Sequence, residues 1–151
     1  VFGRLLSTLF IGGHKNQAIV QEGPYGLTRN PLYFFSLLGV VGIGLASANP
    51  VVALLLVAAF AVYYPGVLAQ EESKLASKHP AEFPAYRERV PRFWPRPALG
   101  WQEPEWVTTS PDRFRSALAD GAGFIAAYLV VRIIAEAHAT GVLPAYPLPC
   151  C

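Results

Sequence analysis

Residues 31–72 read PLYFFSLLGVVGIGLASANPVVALLLVAAFAVYYPGVLAQEE, and from position 30 to position 70 there is no Asp, Glu, Lys or Arg. Two apolar runs lie inside this stretch, residues 32–48 and residues 51–68. Each is close to the roughly 20 apolar residues that a helix needs to cross a bilayer core. Asn49 and Pro50 part them, a turn signal in which Pro cannot continue the preceding helix but can begin the next. A charge at the bilayer centre costs about 2.5–3.5 kcal/mol on the insertion scale, so its absence throughout favours insertion. A soluble bundle would carry charges along an outer face at helical spacing, and neither run has one. The stretch reads as a transmembrane helical hairpin.

The flanks orient it. Arg4, Lys15 and Arg29 precede the hairpin, and Lys74, Lys78, Arg87, Arg89, Arg92 and Arg96 follow it, while the tip carries no charge. The positive-inside rule places both open ends at the cytoplasmic face. Beyond Glu71 the chain begins helix-like and is then punctuated by Pro80, Pro84, Pro91, Pro95 and Pro97, which forbid one long helix. Residues 101–115 read as a linker of mixed charge. A third apolar segment, residues 117–137, contains Asp120, Arg132 and Glu136. Arg132 and Glu136 are one turn apart and can pair, so a further membrane helix with a polar face is expected, an interfacial helix being the alternative. Residues 1–11, apolar apart from Arg4, read as the end of another membrane helix. The expected architecture is all-α and multi-pass, with a core over residues 1–100, the linker, and an additional helix and tail over residues 116–151. The chain begins at Val1 and has no Met, so its natural start is expected upstream; no signal-peptide pattern is visible.

Composition agrees. Of 151 residues 53% are hydrophobic and 15% charged, against roughly a quarter charged in soluble domains, and mean hydropathy is +0.35. A net charge of +2 without a basic stripe argues against nucleic acid as a partner. Cys150 and Cys151 end the chain, which offers neither a disulfide framework nor a C-a-a-X box. His14, His79 and His138 lack metal-ligand spacing, and no metal is expected. Gly42 and Gly44 do not open a dinucleotide loop, because position 47 is Ser47 and the segment is an apolar helix. With Ala46 and Ala48 they read as a small-residue face that lets another helix approach.

Two polar clusters bracket the hairpin. GPYGLTRNPLY (residues 23–33) enters its first helix; Glu71 and Glu72 leave its second, followed by Phe83, Tyr86 and RVPR at 89–92. An antiparallel hairpin returns both clusters to one face. The expected result is a pocket of acids, aromatics and exposed backbone at the lipid boundary.

Taken together, GPYGLTRNPLY, the long apolar stretch broken by Asn-Pro, and EE..L.......F..Y...VPRFWP resemble the integral-membrane methyltransferase family over residues 17–95. That family includes isoprenylcysteine carboxyl methyltransferases and phospholipid N-methyltransferases; sterol reductases share a related element. The resemblance implies an S-adenosylmethionine site between the motifs, cytosol-facing and open to the bilayer, and a lipophilic acceptor from the membrane lipids. It assigns cofactor contacts to Gln17, Ala18, Ile19 and Val20, largely through backbone, to Tyr25, Asn30, Pro31, Leu32 and Tyr33, and to Glu71 with Glu72 beside it. Carboxylates suit the cofactor's ammonium or ribose diol, and aromatic faces suit a cation. Methyl transfer is promoted by positioning and desolvation, so no dedicated base is expected. Many members have His where this chain has Asn30, but the phospholipid enzymes have Asn. Val67 matches a substrate-facing Arg of the isoprenylcysteine enzymes. The acceptor is therefore expected not to be a prenylated cysteine carboxylate, with Arg29 or Arg89 as the residues that would stand in. The competing functions are phospholipid amine methylation, an NADPH-dependent reductase of the sterol type, and a non-catalytic membrane protein.

Overall fold

Asn49 builds the tip of the hairpin. Its side-chain oxygen accepts from the Val51 and Val52 amides at 2.9 and 3.3 Å, capping the helix that follows. Pro50 takes the first helical position, where a missing N–H costs nothing. Ala48 turns the chain with φ +52°, in the left-handed region, and the Asn49 amide donates to the Ser47 hydroxyl at 3.2 Å.

The structure, a computed structural model, describes residues 1–12, 19–99, 101, 105–107 and 109–143. Among them the regular elements are α1 (Phe2–Gly12), α2 (Pro24–Leu27), α3 (Pro31–Ala46), α4 (Pro50–Lys78), α5 (Phe83–Arg89) and α6 (Pro111–Ala139), with a 3-10 turn at Pro97–Leu99 and no strand. By length and composition α4 and α6 can each cross a membrane, whereas α1 and α3 are shorter apolar helices. The hairpin is therefore α3 and α4.

Its second arm differs from the expectation. The apolar run stops at Leu68, but α4 continues unbroken through Glu71, Glu72 and Lys74 to Lys78, accommodating Pro65 on the way. At 1.5 Å per residue its 29 residues span roughly 43 Å, against ~30 Å of hydrocarbon. The surplus turns carry the charges. Likewise α6 opens at Pro111, within the stretch expected to be linker.

Glycine explains the close packing, though only in part where expected. A Cβ at Gly44 would lie 2.8 Å from the Ala53 Cα across the hairpin, so the two backbones meet there. Gly42 faces open space and contributes nothing to that contact. Gly39 instead makes room for α6: a Cβ would stand 2.7 Å from the Phe124 ring. Arg4 on α1 completes that junction. It pairs with Asp120 at 2.9 Å, donates to Ser36 on α3, and lies 5.4 Å from the Phe124 ring centroid. Arg132 and Glu136 do approach to 4.0 Å, but both are exposed, and such pairs contribute little.

Candidate functional site

The open end of the hairpin is organised by a lacing of two segments distant in sequence. Gly23 opens the first with φ +56°, and a Cβ there would collide with the Phe10 ring at 2.5 Å. After α2 the chain is extended at Thr28 and bends at Arg29 before Pro31 starts α3. Pro91 ends α5, and the residues after it run alongside. The Arg29 amide donates to the Pro91 carbonyl at 2.9 Å, and the Arg96 amide to the Leu27 carbonyl at 3.0 Å. The Thr28 hydroxyl donates to the Phe93 carbonyl at 3.0 Å, and Asn30 Nδ2 to the Arg92 carbonyl at 2.8 Å. Tyr86 of α5 reaches back, its hydroxyl donating to the Tyr25 carbonyl at 2.9 Å. Beneath it Ile19, Phe83, Tyr86 and Val90 form a buried cluster, with Leu75 and Ala76 of α4 packed against it.

A cavity of about 390 Å³ lies between these segments and the polar end of α4, within the usual size range of small-molecule sites. Ile19, Val20, Tyr25, Arg29, Asn30, Pro31, Leu32, Tyr33 and Glu71 all line it. Gln17 and Ala18 lie outside the described residues. The structure does not bring Glu72, Val67 or Arg89 to the wall. Glu72 turns away to bridge two arginines, Arg29 at 3.4 Å and Arg92 at 3.3 Å. Val67 sits half-buried one turn closer to the tip than Glu71, beyond the cavity's edge on α4. Arg89, exposed at the end of α5, donates instead to the Gln21 side chain. Asn30 lines the cavity but spends its amide N–H on the Arg92 carbonyl, so it also fixes the wall.

Four further residues line the site without having been singled out: Ile11, Lys74, Leu75 and Lys78. Glu71, Lys74, Leu75 and Lys78 follow the i, i+3, i+4, i+7 spacing of one helical face. That signal becomes legible once α4 is taken as continuous to Lys78. The site also connects to an aromatic series: Tyr33 meets Tyr64 at 5.4 Å between centroids, and Phe60 stacks on Tyr64 at 4.0 Å.

Burial sets the electrostatics. It pushes the Tyr25 and Tyr86 phenols well above their ordinary value; neighbouring Tyr86 adds to this at Tyr25, and Arg29 opposes it at Tyr86. Burial lowers Arg29, with the Glu72 carboxylate acting against it. The Arg29 side chain is 8% exposed, and its Nε and Nη1 have no hydrogen-bond partner among the described residues. The cavity thus offers one carboxylate, several ring faces, exposed backbone and three cations. This donor set fits a ligand that is at once a nucleoside, an ammonium and a carboxylate. Among the described residues no group of three or more His, Cys, Asp or Glu is placed to hold a metal ion.

Residues 1–81 match the family described as phospholipid methyltransferase. Two curated relatives are similar over nearly the whole chain. The cobalt-zinc-cadmium resistance protein CzcN of Cupriavidus metallidurans is 41% identical over 143 residues, 95% of this chain and 65% of the relative. The nickel-cobalt-cadmium resistance protein NccN of Alcaligenes xylosoxydans xylosoxydans is 35% identical over 146 residues, 97% of this chain and 68% of the relative. The chain therefore spans about two thirds of the length of each. No solved structure matches it.

Proposed function

The chain belongs to the phospholipid methyltransferase family, and from that premise we propose that it transfers a methyl group from S-adenosylmethionine to a lipophilic acceptor taken from the bilayer. One observation carries this reading. A single cavity is walled on one side by Tyr25, Asn30, Pro31, Leu32 and Tyr33 and on the other by Glu71 of α4. These are the two motif clusters that the hairpin was expected to reunite.

The donor supplies an electrophilic methyl group on a sulfonium. The chain's part is to hold and orient it. Glu71 is a partner for the ammonium or the ribose diol, and the Tyr25 and Tyr33 rings offer faces to cationic or flat groups. The Ile19 and Val20 segment supplies backbone donors and acceptors. With α4 and α6 across the bilayer and the open end of the hairpin in the cytoplasm, a soluble donor enters from the aqueous side. The Tyr33–Tyr64–Phe60 series gives an apolar acceptor a lateral approach toward the same cavity. In-line transfer then depends on alignment and exclusion of water rather than on a base.

The test is a titration of the full-length protein in detergent with S-adenosylmethionine and, separately, with NADPH. Saturable binding of the first alone supports the reading; binding of NADPH alone overturns it in favour of a reductase. A labelled-methyl assay across phospholipid amines, small lipophilic amines, thiols and phenols, and farnesylcysteine then ranks acceptors. The expected order places farnesylcysteine last, since Val67 offers no donor for its carboxylate.

The similarity to the two metal-resistance proteins favours a second statement, about context: the methylation serves resistance to divalent transition metals. Its measurement is the growth of a metal-sensitive host on graded cobalt, zinc and cadmium, with and without the protein and its Glu71→Gln variant.

A further inference from the structure

The cavity contains more positive charge than an ammonium-binding carboxylate explains. Glu71 is its acidic wall residue, whereas Arg29, Lys74 and Lys78 are cationic. Lys74 and Lys78 are four residues apart on α4, where like charges oppose each other, and both are on the face that lines the site. Arg29 reinforces the sign from the other segment. Its side chain is more than nine-tenths buried, Glu72 engages it through Nη2, and the Nε and Nη1 hydrogens have no partner among the described residues. Buried guanidinium donors without acceptors are costly, and the residue that carries them lines the cavity.

The geometry points to a carboxylate-recognition subsite formed by Lys74 and Lys78, with Arg29, that holds the amino-acid end of the methyl donor. This rests on the donor reading above and deepens it. S-Adenosylmethionine ends in an α-ammonium and an α-carboxylate on the same carbon. Glu71 and Lys74 are one helical turn apart on one face, and so present an acceptor and a donor of opposite charge to that zwitterion. Lys78, the next turn along, widens the cationic side. The consequence is selectivity: the site distinguishes the intact donor and its demethylated product from nucleosides that lack the amino-acid tail.

The experiment measures binding of S-adenosylhomocysteine and of 5′-methylthioadenosine, which has the nucleoside but no amino acid, to full-length protein by calorimetry. The wild type is expected to prefer the homocysteine nucleoside by about tenfold or more, the scale of one charge-assisted contact. In the Lys74→Gln/Lys78→Gln double variant that preference falls about tenfold, leaving the share that the Glu71 contact to the ammonium supplies, while methylthioadenosine affinity stays unchanged. Lys74→Arg/Lys78→Arg restores it. Unchanged homocysteine-nucleoside affinity in the glutamine variant would overturn the inference and leave the donor reading intact, and so would equal loss of both ligands. Failure of the wild type to bind either nucleoside would overturn the donor reading and this subsite with it.

Discussion

The Asn30 side chain donates to the carbonyl of Arg92 at 2.8 Å, tying the residue just before α3 to a residue 62 positions later. Asn30 itself is buried, 7% exposed. Asn30→Ala removes this bond and leaves the Arg92 carbonyl only the longer contact from the Thr28 hydroxyl at 3.4 Å, so it is expected to cost about 0.5–1.5 kcal/mol and to lower the melting temperature in detergent. Asn30→His keeps a ring N–H that can serve the same carbonyl, and is expected to retain most stability and most donor affinity. Equal destabilisation by the two substitutions would show that the amide–carbonyl bond is not what matters at this position.

This pairing shows where sequence reasoning stops. The absence of charge from position 30 to position 70 was enough to place the hairpin, and Asn49 and Pro50 to place its tip, because burial in hydrocarbon imposes a composition that any residue-by-residue reading detects. Tyr25, Tyr33 and Glu71 were reachable because an antiparallel hairpin must return its ends together. Glu72 stands outside the cavity wall because adjacency in sequence does not decide which way a side chain turns. Glu72 is 100° around the helix from Glu71, and that rotation sends it to Arg29 and Arg92. Lys74 and Lys78 join the site only because α4 runs unbroken to Lys78, which puts the helix-like start of the polar segment in register with Glu71.

Tyr25 and Tyr86 give a pH dependence with a definite sign. Burial raises both phenols above their ordinary value of 10.0. A group whose folded pKa is raised contributes stability that is complete below its unfolded pKa and is lost as pH climbs toward the folded one. Thermal stability is therefore expected to be insensitive to these two groups from neutrality to about pH 9.5 and to decline above about pH 10. Tyr86→Phe removes the bond to the Tyr25 carbonyl, so it should cost about 1–3 kcal/mol at pH 7 while flattening the alkaline decline. Melting curves across roughly pH 7–11 measure both effects.

Gly44 and Gly42 make a matched pair for testing the hairpin contact. Ala is the better helix former by about 1 kcal/mol, so Gly42→Ala, which meets nothing, is expected to be neutral or stabilising. Gly44→Ala pushes a Cβ to within 2.8 Å of the Ala53 Cα, and backbone cannot yield as a side chain does. It should destabilise by about 1–3 kcal/mol, as overpacking usually does. Similar behaviour of both variants would mean that α3 and α4 do not approach closely at Gly44.

Glu71 and Glu72, adjacent and chemically identical, are expected to fail in different ways. Glu72 is 17% exposed and bridges Arg29, which is 8% exposed, to the more exposed Arg92. Removing one partner of a buried ion pair leaves the other charge uncompensated, typically at about 3–5 kcal/mol; the partial exposure of Glu72 and the solvent access of Arg92 bring the expected cost of Glu72→Gln nearer about 2 kcal/mol. That loss falls on the melting temperature, because Glu72 fastens Arg29 and the segment after Pro91 to α4 without lining the cavity. Glu71 lines the cavity and has no such bridge among the described residues. Glu71→Gln should leave the melting temperature of the ligand-free protein nearly unchanged and weaken S-adenosylmethionine about tenfold or more, the worth of one charge-assisted contact to the ammonium. The two readouts, a melting curve without ligand and a binding isotherm with it, are taken on the same preparations. Loss of affinity in Glu72→Gln at full stability, together with unchanged affinity in Glu71→Gln, would exchange the two roles and place the donor on the arginine side of α4.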